Sequence, residues 1–194
     1  MTARRAAADL LVAVLDQGRA LEDALDDTPS FAVLQGRDRA FARAIAGAAL
    51  RRLGGLDAVL SQFLDRPLPE TAHLGRALLR TGAAQILVLQ TPAHAAVGET
   101  VNAANEAREA RGFAKLINAV LRRVSERGAA LLAAQPPGAD LPAWLYARWR
   151  AAYGDETAAA IAGALRTEAP LDLSAKADAQ TWAERLNGAL TPTG

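Results

Sequence analysis

Apolar residues recur at helical spacing through most of the first 133 residues. Leu10, Leu11 and Val14 share one face of a helix that the pattern predicts over about 3–17. The most regular amphipathic pattern, over about 112–133, contains Phe113, Leu116, Ile117, Val120, Leu121 and Val124. Between these two stretches, the same spacing predicts a short helix with Leu21 and Leu25 and further helices over about 36–53, 56–63, 74–90 and 93–109.

Turn-forming residues indicate where these helices begin and end. Gly54-Gly55 is interpreted as the stop of the helix over 36–53, and Thr91 as an N-cap that is followed by Pro92 in the first turn. Gln135-Pro136-Pro137-Gly138 is the one convincing linker. It predicts a helical domain over 1–134, a linker over 135–140 and a separate segment over 141–194.

The segment over 141–194 has a different pattern from the domain before it. Two helices are predicted over about 142–153 and 155–166, and a last one over about 178–190. Between them, Pro170 to Ser174 alternates apolar and polar residues, which is typical of a short strand. A lone strand and helix cannot close a core of their own. We therefore expect an all-α bundle followed by a short α/β segment that begins an incomplete second subdomain.

Composition supports the all-α class and excludes several kinds of chemistry. Hydrophobic residues make up 51% of the chain and aromatics only 5%, and much of the apolar fraction is alanine, the best helix former. With no cysteine and two histidines, a disulfide, a thiolate metal site and an ordinary zinc site are excluded. We expect no catalytic and no metal-binding residue. Without a signal peptide or a membrane-length apolar run, the chain is expected to be cytoplasmic.

The basic residues remain as candidates for binding. The net charge is +1 overall, but +3 over 1–128 and −2 over 129–194. Twenty of the 22 basic residues are arginine, which binds phosphates and stacks on bases, although a GC-rich genome also raises the arginine count. Their helical positions fit a phosphate-binding surface and an ordinary solvated face about equally well. The candidate RNA-binding residues are Arg4, Arg5, Arg37, Arg39, Arg43, Arg80, Lys115, Arg122 and Arg123.

Three further residues are expected to have structural roles. His94 lies in the first turn of a predicted helix, and we expect it to hydrogen-bond to a neighbouring loop rather than act as a base. Asn118 lies among apolar residues and is expected to be buried and hydrogen-bonded. Trp144 and Trp149 could form a base-stacking platform. The preferred interpretation is that Trp144 packs the appended segment onto the bundle.

Four short segments carry a resemblance to a known family. Residues 92–101, PAHAAVGETV, resemble the motif P-x-H-A-A-V-N-E-x-V, and residues 115–123, KLINAVLRR, resemble K-x-I/V-N-A-V-L-R-R. Residues 79–87, LRTGAAQIL, resemble L-R-x-G-x-x-Q-L-L, and residues 141–145 contain P-x-W-L. These motifs, in the order in which they occur along the chain, are similar to those in the N-terminal region of the RsmB (Fmu/Sun) family of bacterial 16S ribosomal RNA cytosine-5 methyltransferases. The first domain of that family is similar to NusB, a transcription antitermination factor.

This resemblance implies a function for the chain. A NusB-like domain would help to dock small-subunit ribosomal RNA for a catalytic domain that is absent from this chain. That domain would bind S-adenosylmethionine and attack cytosine with a cysteine, so this chain alone is expected to be inactive and to hold no cofactor. The implied partners are the ribosomal RNA and the protein's own C-terminal catalytic domain, with no membrane. Residues 171–175 lack the family's L-R-x-N, so no RNA role is carried over to them.

Two other functions are compatible with the sequence. One is a free-standing NusB-type antitermination factor that binds RNA together with a ribosomal protein. Such a factor is expected to have Glu in place of Gln85, no histidine at His94 and no Trp144 segment. The other is a scaffold that packs against its own catalytic domain and binds no RNA, which would fit the near-neutral charge.

Overall fold

The computed structural model describes residues 2–169 and 171–191, and in these residues the chain is helical with no strand. These residues include two 3₁₀ helices, Arg111–Phe113 and Pro137–Asp140. The described residues form ten α-helices: α1 (Ala3–Leu15), α2 (Leu21–Asp27), α3 (Pro29–Ala32), α4 (Gly36–Arg51), α5 (Leu53–Ser61), α6 (His73–Leu87), α7 (Ala93–Glu106), α8 (Ala114–Ala133), α9 (Ala143–Ala164) and α10 (Ala179–Leu186). The all-α prediction is confirmed. None of the described helices is both long and apolar enough to cross a bilayer.

Helix α6 lies at the centre of the bundle, where it packs against α1, α4, α5, α7 and α8. Leu78 and Leu79 of α6 and Ile117 and Leu121 of α8 are fully buried at this centre. Gly82 allows the two helices to approach closely, because a Cβ at this position would lie 2.4 Å from a methyl carbon of Leu121. Since interiors are packed to crystal density, this contact leaves no room for even one methyl group.

A second apolar cluster joins α1, α3 and α4 at the N-terminal side of the bundle. Leu10 and Ile45 are fully buried in it, and Phe31 of α3 is only 2% exposed. The apolar spacing predicts no helix between the one with Leu25 and the one over about 36–53, so α3 was not predicted. The position of Pro29 was the available signal, because proline is favoured in the first turn of a helix.

The glycine pair Gly54-Gly55 does not end a helix, and that prediction was wrong. Both glycines lie inside α5, which follows α4 after a single residue, Arg52. Their role is to let the 3₁₀ helix Pro137–Asp140 approach, because a Cβ on Gly54 would lie 1.8 Å from the carbonyl oxygen of Ala139. A glycine read as a local stop is here required by a contact with residues far along the chain.

Thr91 does not cap α7, which is a second correction. The cap position is occupied by Pro92, and no side chain there hydrogen-bonds to the helix. The Thr91 backbone N–H instead donates to the carbonyl oxygen of Gln85 at 2.8 Å. Thr91 therefore helps to finish α6 rather than to begin α7.

Helix α9 folds back on itself at Gly154, where the backbone adopts φ 80° and ψ 168°. This left-handed φ favours glycine and separates the two helices that were predicted over 142–153 and 155–166. After the second half, Arg166 donates to the carbonyl oxygens of Pro136 at 2.8 Å and Pro137 at 3.0 Å. The residue after the second half therefore contacts the linker that precedes the first half.

The predicted strand over 170–174 is wrong for its described residues. Residues 171–174 have no regular secondary structure and their side chains are exposed, and Pro170 lies outside the described residues. The alternating pattern alone does not form a strand, since a strand needs a partner for its backbone hydrogen bonds. No such partner is present among the described residues.

Candidate nucleic-acid interface

Arg4 is half-buried, and its side chain is engaged by contacts within the protein. Its Nε donates to Oε1 of Gln85 at 3.0 Å, and its guanidinium lies 4.9 Å from the ring centre of Phe41. Gln85 is fully buried on α6, and its Nε2 donates to the carbonyl oxygen of Thr81 at 3.1 Å. Arg4 thus completes the hydrogen bonding of a buried amide.

Arg5 and Arg80 are also committed to contacts within the protein. Arg5 donates to Asp9 at 2.9 Å and to Glu109 at 3.0 Å, which ties α1 to the chain after α7. Arg80 forms a two-point ion pair with Asp57 of α5, with both contacts at 2.8 Å. The hydrogen bonds that Arg80 donates to Asp57 raise the pKa of Arg80 against the opposing effect of burial.

Arg39 stacks on an aromatic ring. Its guanidinium lies 4.2 Å from the ring centre of Phe31, and its Nη1 donates to the Phe31 carbonyl oxygen at 3.1 Å. Such a stack is favourable because the ring face is electron-rich. Arg39 is half-buried but still borders the surface between α2 and α4.

The other five candidate cations have exposed side chains with no ion-pair, hydrogen-bond or ring partner among the described residues. Arg37 and Arg43 are on α4, and Lys115, Arg122 and Arg123 are on α8. Both helices pack against α6. These five side chains can bind an external anion without first breaking a contact within the protein.

The three cations of α8 form what we call the α8 cationic stripe: Lys115, Arg122 and Arg123. Lys115 and Arg122 are seven residues apart and share a face, while Ile117, Val120, Leu121 and Val124 point into the core. Glu126 is the one acidic residue on this helix. Arg127, one turn beyond Arg123, lies over the ring of Phe63 at 5.7 Å. The solvent-facing side of α8 therefore carries a clear positive excess.

The three residues assigned structural roles are all accessible to solvent. His94 is exposed and Asn118 is half-buried, and neither side chain makes a hydrogen bond within the described part of the chain. Trp144 is 67% exposed, so it does not pack the appended segment onto the bundle. Tyr146 contacts the linker instead. Its ring lies so close to Gly138 that a Cβ at this position would be only 2.3 Å from a ring carbon.

Asp140 holds the appended segment in place, which sequence reasoning missed. Its carboxylate is only 4% exposed and accepts from Arg52 at 3.0 Å and from Arg166 at 2.9 Å. It also accepts from the backbone N–H of Gly55 at 2.8 Å, in the first turn of α5. We call Arg52, Gly55, Asp140 and Arg166 the Asp140 clasp. The predicted linker is therefore seated on the bundle rather than loose.

No group of three or more histidine or acidic side chains in the described ranges could hold a metal ion. The motif segments 92–101 and 115–123 lie on α7 and α8, which pack directly against each other. Residues 1–126 match the NusB family. The chain belongs to the NusB family. The matched region ends within α8, before the linker and the Asp140 clasp.

Similar curated proteins carry a more specific name than the family. The Ribosomal RNA small subunit methyltransferase B of Xanthomonas campestris pv. campestris is 43% identical over 163 residues, which cover 82% of this NusB-family chain and 35% of that protein. The protein of the same name from Xylella fastidiosa strain 9a5c is 37% identical over 190 residues, with 94% and 43% covered. The one from Pasteurella multocida is 35% identical over 155 residues, with 79% and 34% covered. The chain spans between a third and a half of the length of these relatives.

Proposed function

We propose that this chain is the RNA-binding N-terminal part of a small-subunit ribosomal RNA cytosine-5 methyltransferase. In this role it anchors ribosomal RNA so that a catalytic domain can methylate one cytosine. The relatives' names support the substrate, and the exposed, unpartnered cations on α4 and α8 support the binding role. The S-adenosylmethionine site and the cysteine nucleophile would belong to the part of the relatives that this chain does not match.

The observation that carries the proposal is the α8 cationic stripe. Lys115, Arg122 and Arg123 have side chains that nothing in the described residues engages, on a helix whose opposite face is firmly buried. A rigid row of such cations suits the phosphate backbone, which supplies most of the affinity in nucleic-acid binding. Arg37 and Arg43 add two more cations on α4.

The test compares two triple variants for binding to a small-subunit ribosomal RNA fragment at fixed salt. The first replaces the stripe with glutamine: Lys115→Gln, Arg122→Gln and Arg123→Gln. The matched control replaces three exposed cations that lie off α4 and α8, Arg66, Arg148 and Lys176, which also have no partner among the described residues. Both variants lose three positive charges and no internal contact.

We expect the stripe variant to bind RNA at least tenfold more weakly than the control, because it loses specific phosphate contacts. Equal weakening in both variants would mean that only net charge matters, and would remove the stripe from the interface. Circular dichroism and thermal unfolding of both variants check that the fold is retained.

The appended segment supports a second role, docking to the remainder of the enzyme. Eight of the nine large apolar side chains that are most exposed among the described residues lie beyond residue 141, with Leu171 at 83% and Trp144 at 67%. On α10, Trp182 and Leu186 are one turn apart and face the same side. Such a concentration of exposed apolar side chains marks a surface that binds another protein or domain. The part of the relatives that this chain does not match would be that domain.

Docking is tested by mixing this chain with the separately produced remainder of the enzyme and measuring complex formation by calorimetry. The double variant Trp182→Gln and Leu186→Gln is expected to weaken the complex at least tenfold. The control, Gln180→Ala and Glu184→Ala, changes the polar side of the same helix. A complex that survives the first variant unchanged would exclude α10 from the contact.

A further inference from the structure

An open groove of about 550 Å³ lies between α2, α3 and α4, outside the α8 cationic stripe. Its size is in the range of about 300–1,000 Å³ that is usual for small-ligand sites. Leu25 and Ala40 give it apolar surface, and Phe31 lies beneath Arg39. The full lining is Glu22, Leu25, Asp26, Phe31, Gly36, Arg39, Ala40 and Arg43.

The two walls of this groove carry opposite charges that form no ion pair with each other. Glu22 and Asp26 are one turn apart on α2, so their carboxylates share a face, and Arg43 lies on α4 opposite them. No hydrogen bond or ion pair to any described residue engages these three side chains. The next acidic residue, Asp27, shows the contrast, because it forms an ion pair with Arg19 at 2.6 Å. The groove therefore keeps hydrogen-bond acceptors on one wall and a cation on the other.

Arg39 provides a flat, fixed surface within the groove. One face of its guanidinium lies against the Phe31 ring at 4.2 Å, and its bond to the Phe31 carbonyl holds the plane in place. Because one face is covered, the opposite face is the one that a ligand in the groove can meet. Arginine planes and aromatic rings are the surfaces on which proteins stack unpaired RNA bases.

We propose that this groove binds one unstacked nucleotide of single-stranded RNA, with guanine as the preferred base. The base would stack on Arg39 and point its pairing edge toward Glu22 and Asp26. Guanine alone among the standard bases presents two adjacent N–H donors on that edge, which a carboxylate accepts together. A neighbouring phosphate would contact Arg43. The proposal rests on the proposed RNA-binding function and adds a base preference to it.

The chemistry of the groove disfavours the other bases and a basic peptide. The pairing edge of uracil has one donor between two carbonyl oxygens, which would face the carboxylates and be repelled. Cytosine and adenine each offer only one amino group there, so they satisfy one acceptor less. A basic peptide would suit Glu22 and Asp26 but would bring like charge toward Arg39 and Arg43.

The test uses five-nucleotide RNAs that differ only in the central base, UUGUU, UUAUU, UUCUU and UUUUU, with binding measured by fluorescence anisotropy. We expect wild type to bind UUGUU about tenfold more tightly than UUUUU, the size of one good two-point base contact. The double variant Glu22→Gln and Asp26→Asn should remove this preference and leave UUUUU binding unchanged or slightly tighter. Asp23→Asn is the control, since Asp23 is exposed on the same helix but does not line the groove.

A second measurement locates the nucleotide directly. Guanosine 5′-monophosphate is titrated against the isotope-labelled chain, and the amide signals of Gly36 and Ala40 are expected to shift in the NMR spectrum. Arg39→Lys, which keeps the charge but removes the planar stack, should abolish these shifts. The amide spectrum of each variant also reports whether the fold is intact.

The outcomes separate this inference from the proposed function. If the short RNAs bind without base preference, or the preference survives the double variant, the groove proposal is wrong while RNA binding stands. The groove proposal alone is also wrong if ribosomal RNA binding is lost only in the α8 stripe variant and guanosine 5′-monophosphate shifts no amide signal in the groove. If neither the short RNAs nor the ribosomal RNA fragment binds, both proposals fail.

Discussion

At the residue scale, the candidate cations differ mainly in whether their side chains already bind another group of the protein. The sequence placed all nine on helices, but it could not show which were occupied, because the partners lie far away along the chain. Gln85 is 81 residues from Arg4, Glu109 is 104 residues from Arg5, and Asp57 is 23 residues from Arg80. Helical spacing reports only neighbours three or four residues away. Sequence reasoning therefore found candidate cations but could not sort them.

Arg4 is expected to stabilise the fold. Arg4→Met keeps the apolar stem but leaves the buried oxygen of Gln85 without its donor, so we expect a loss of about 1–3 kcal/mol in the free energy of unfolding. Urea unfolding measures it. Arg37→Met, at an exposed and unpartnered position, is the control and should change stability by no more than about 0.5 kcal/mol. An equal effect of both substitutions would contradict this role for Arg4.

Asp16 gives the fold a dependence on pH. Partial burial raises the pKa of Asp16, but hydrogen bonds from His73 and Arg76 outweigh it and leave the pKa below its usual value. A lowered pKa in the folded state contributes stability above the unfolded-state pKa, and this is lost as the pH falls through the folded-state pKa.

Asp16→Asn should therefore be less stable than wild type at pH 5–6, and the difference should shrink below about pH 4. Chemical unfolding at a series of pH values measures this, with the exposed Asp23→Asn as the control. A stability difference between Asp16→Asn and wild type that stays constant down to pH 2 would contradict the assignment.

At the element scale, the sequence predicted most helices to within a few residues but misread features that depend on distant contacts. The helical spacing of apolar residues predicted α1, α6, α7 and α8, because each has one face in the core. The prediction for Gly54-Gly55 was wrong because these glycines are required by a contact with the 3₁₀ helix more than 80 residues later. The strand at 171–174 was misread because alternation predicts a strand only where a partner strand exists.

Gly54→Ala tests the close approach at α5. Its methyl group would overlap the Ala139 carbonyl, so we expect the 3₁₀ helix to be displaced and stability to fall by about 1–3 kcal/mol. Gly98→Ala is the control: Gly98 is exposed in the middle of α7 with open space around its Cβ position. That substitution should raise stability by about 0.5–1 kcal/mol through helix propensity alone. Stability changes of the same sign in both variants would contradict the packing argument.

At the scale of the whole molecule, the segment after the predicted linker is held on the bundle by specific contacts. The linker is predicted over 135–140, and the Asp140 clasp at its end attaches the appended segment to α5. Composition could not reveal this, because an isolated aspartate near prolines is typical of any loop. The proposed docking role accounts for the exposed apolar residues beyond 141.

The clasp is expected to fix the orientation of the appended segment. The chain has no cysteine, so spin labels can be placed at Asn102→Cys on α7 and Ala160→Cys on α9, both exposed. Pulsed electron resonance should give a narrow distance distribution that broadens in Asp140→Ala. Asp155→Ala, which breaks the exposed Arg150–Asp155 ion pair on the same helix, should leave the distribution narrow. Equal distributions in all three proteins would mean that the clasp does not set the orientation.

The central claim, that this NusB-family chain anchors RNA through phosphate contacts, is tested most directly by a salt series. Affinity for a small-subunit ribosomal RNA fragment is measured from low to physiological salt. With five exposed cations engaged, the logarithm of affinity should fall against the logarithm of salt concentration with a slope of about −3 to −5. Binding that is undetectable at low salt, or a slope near zero, would contradict the account and leave the proposed docking role as the alternative function of the chain.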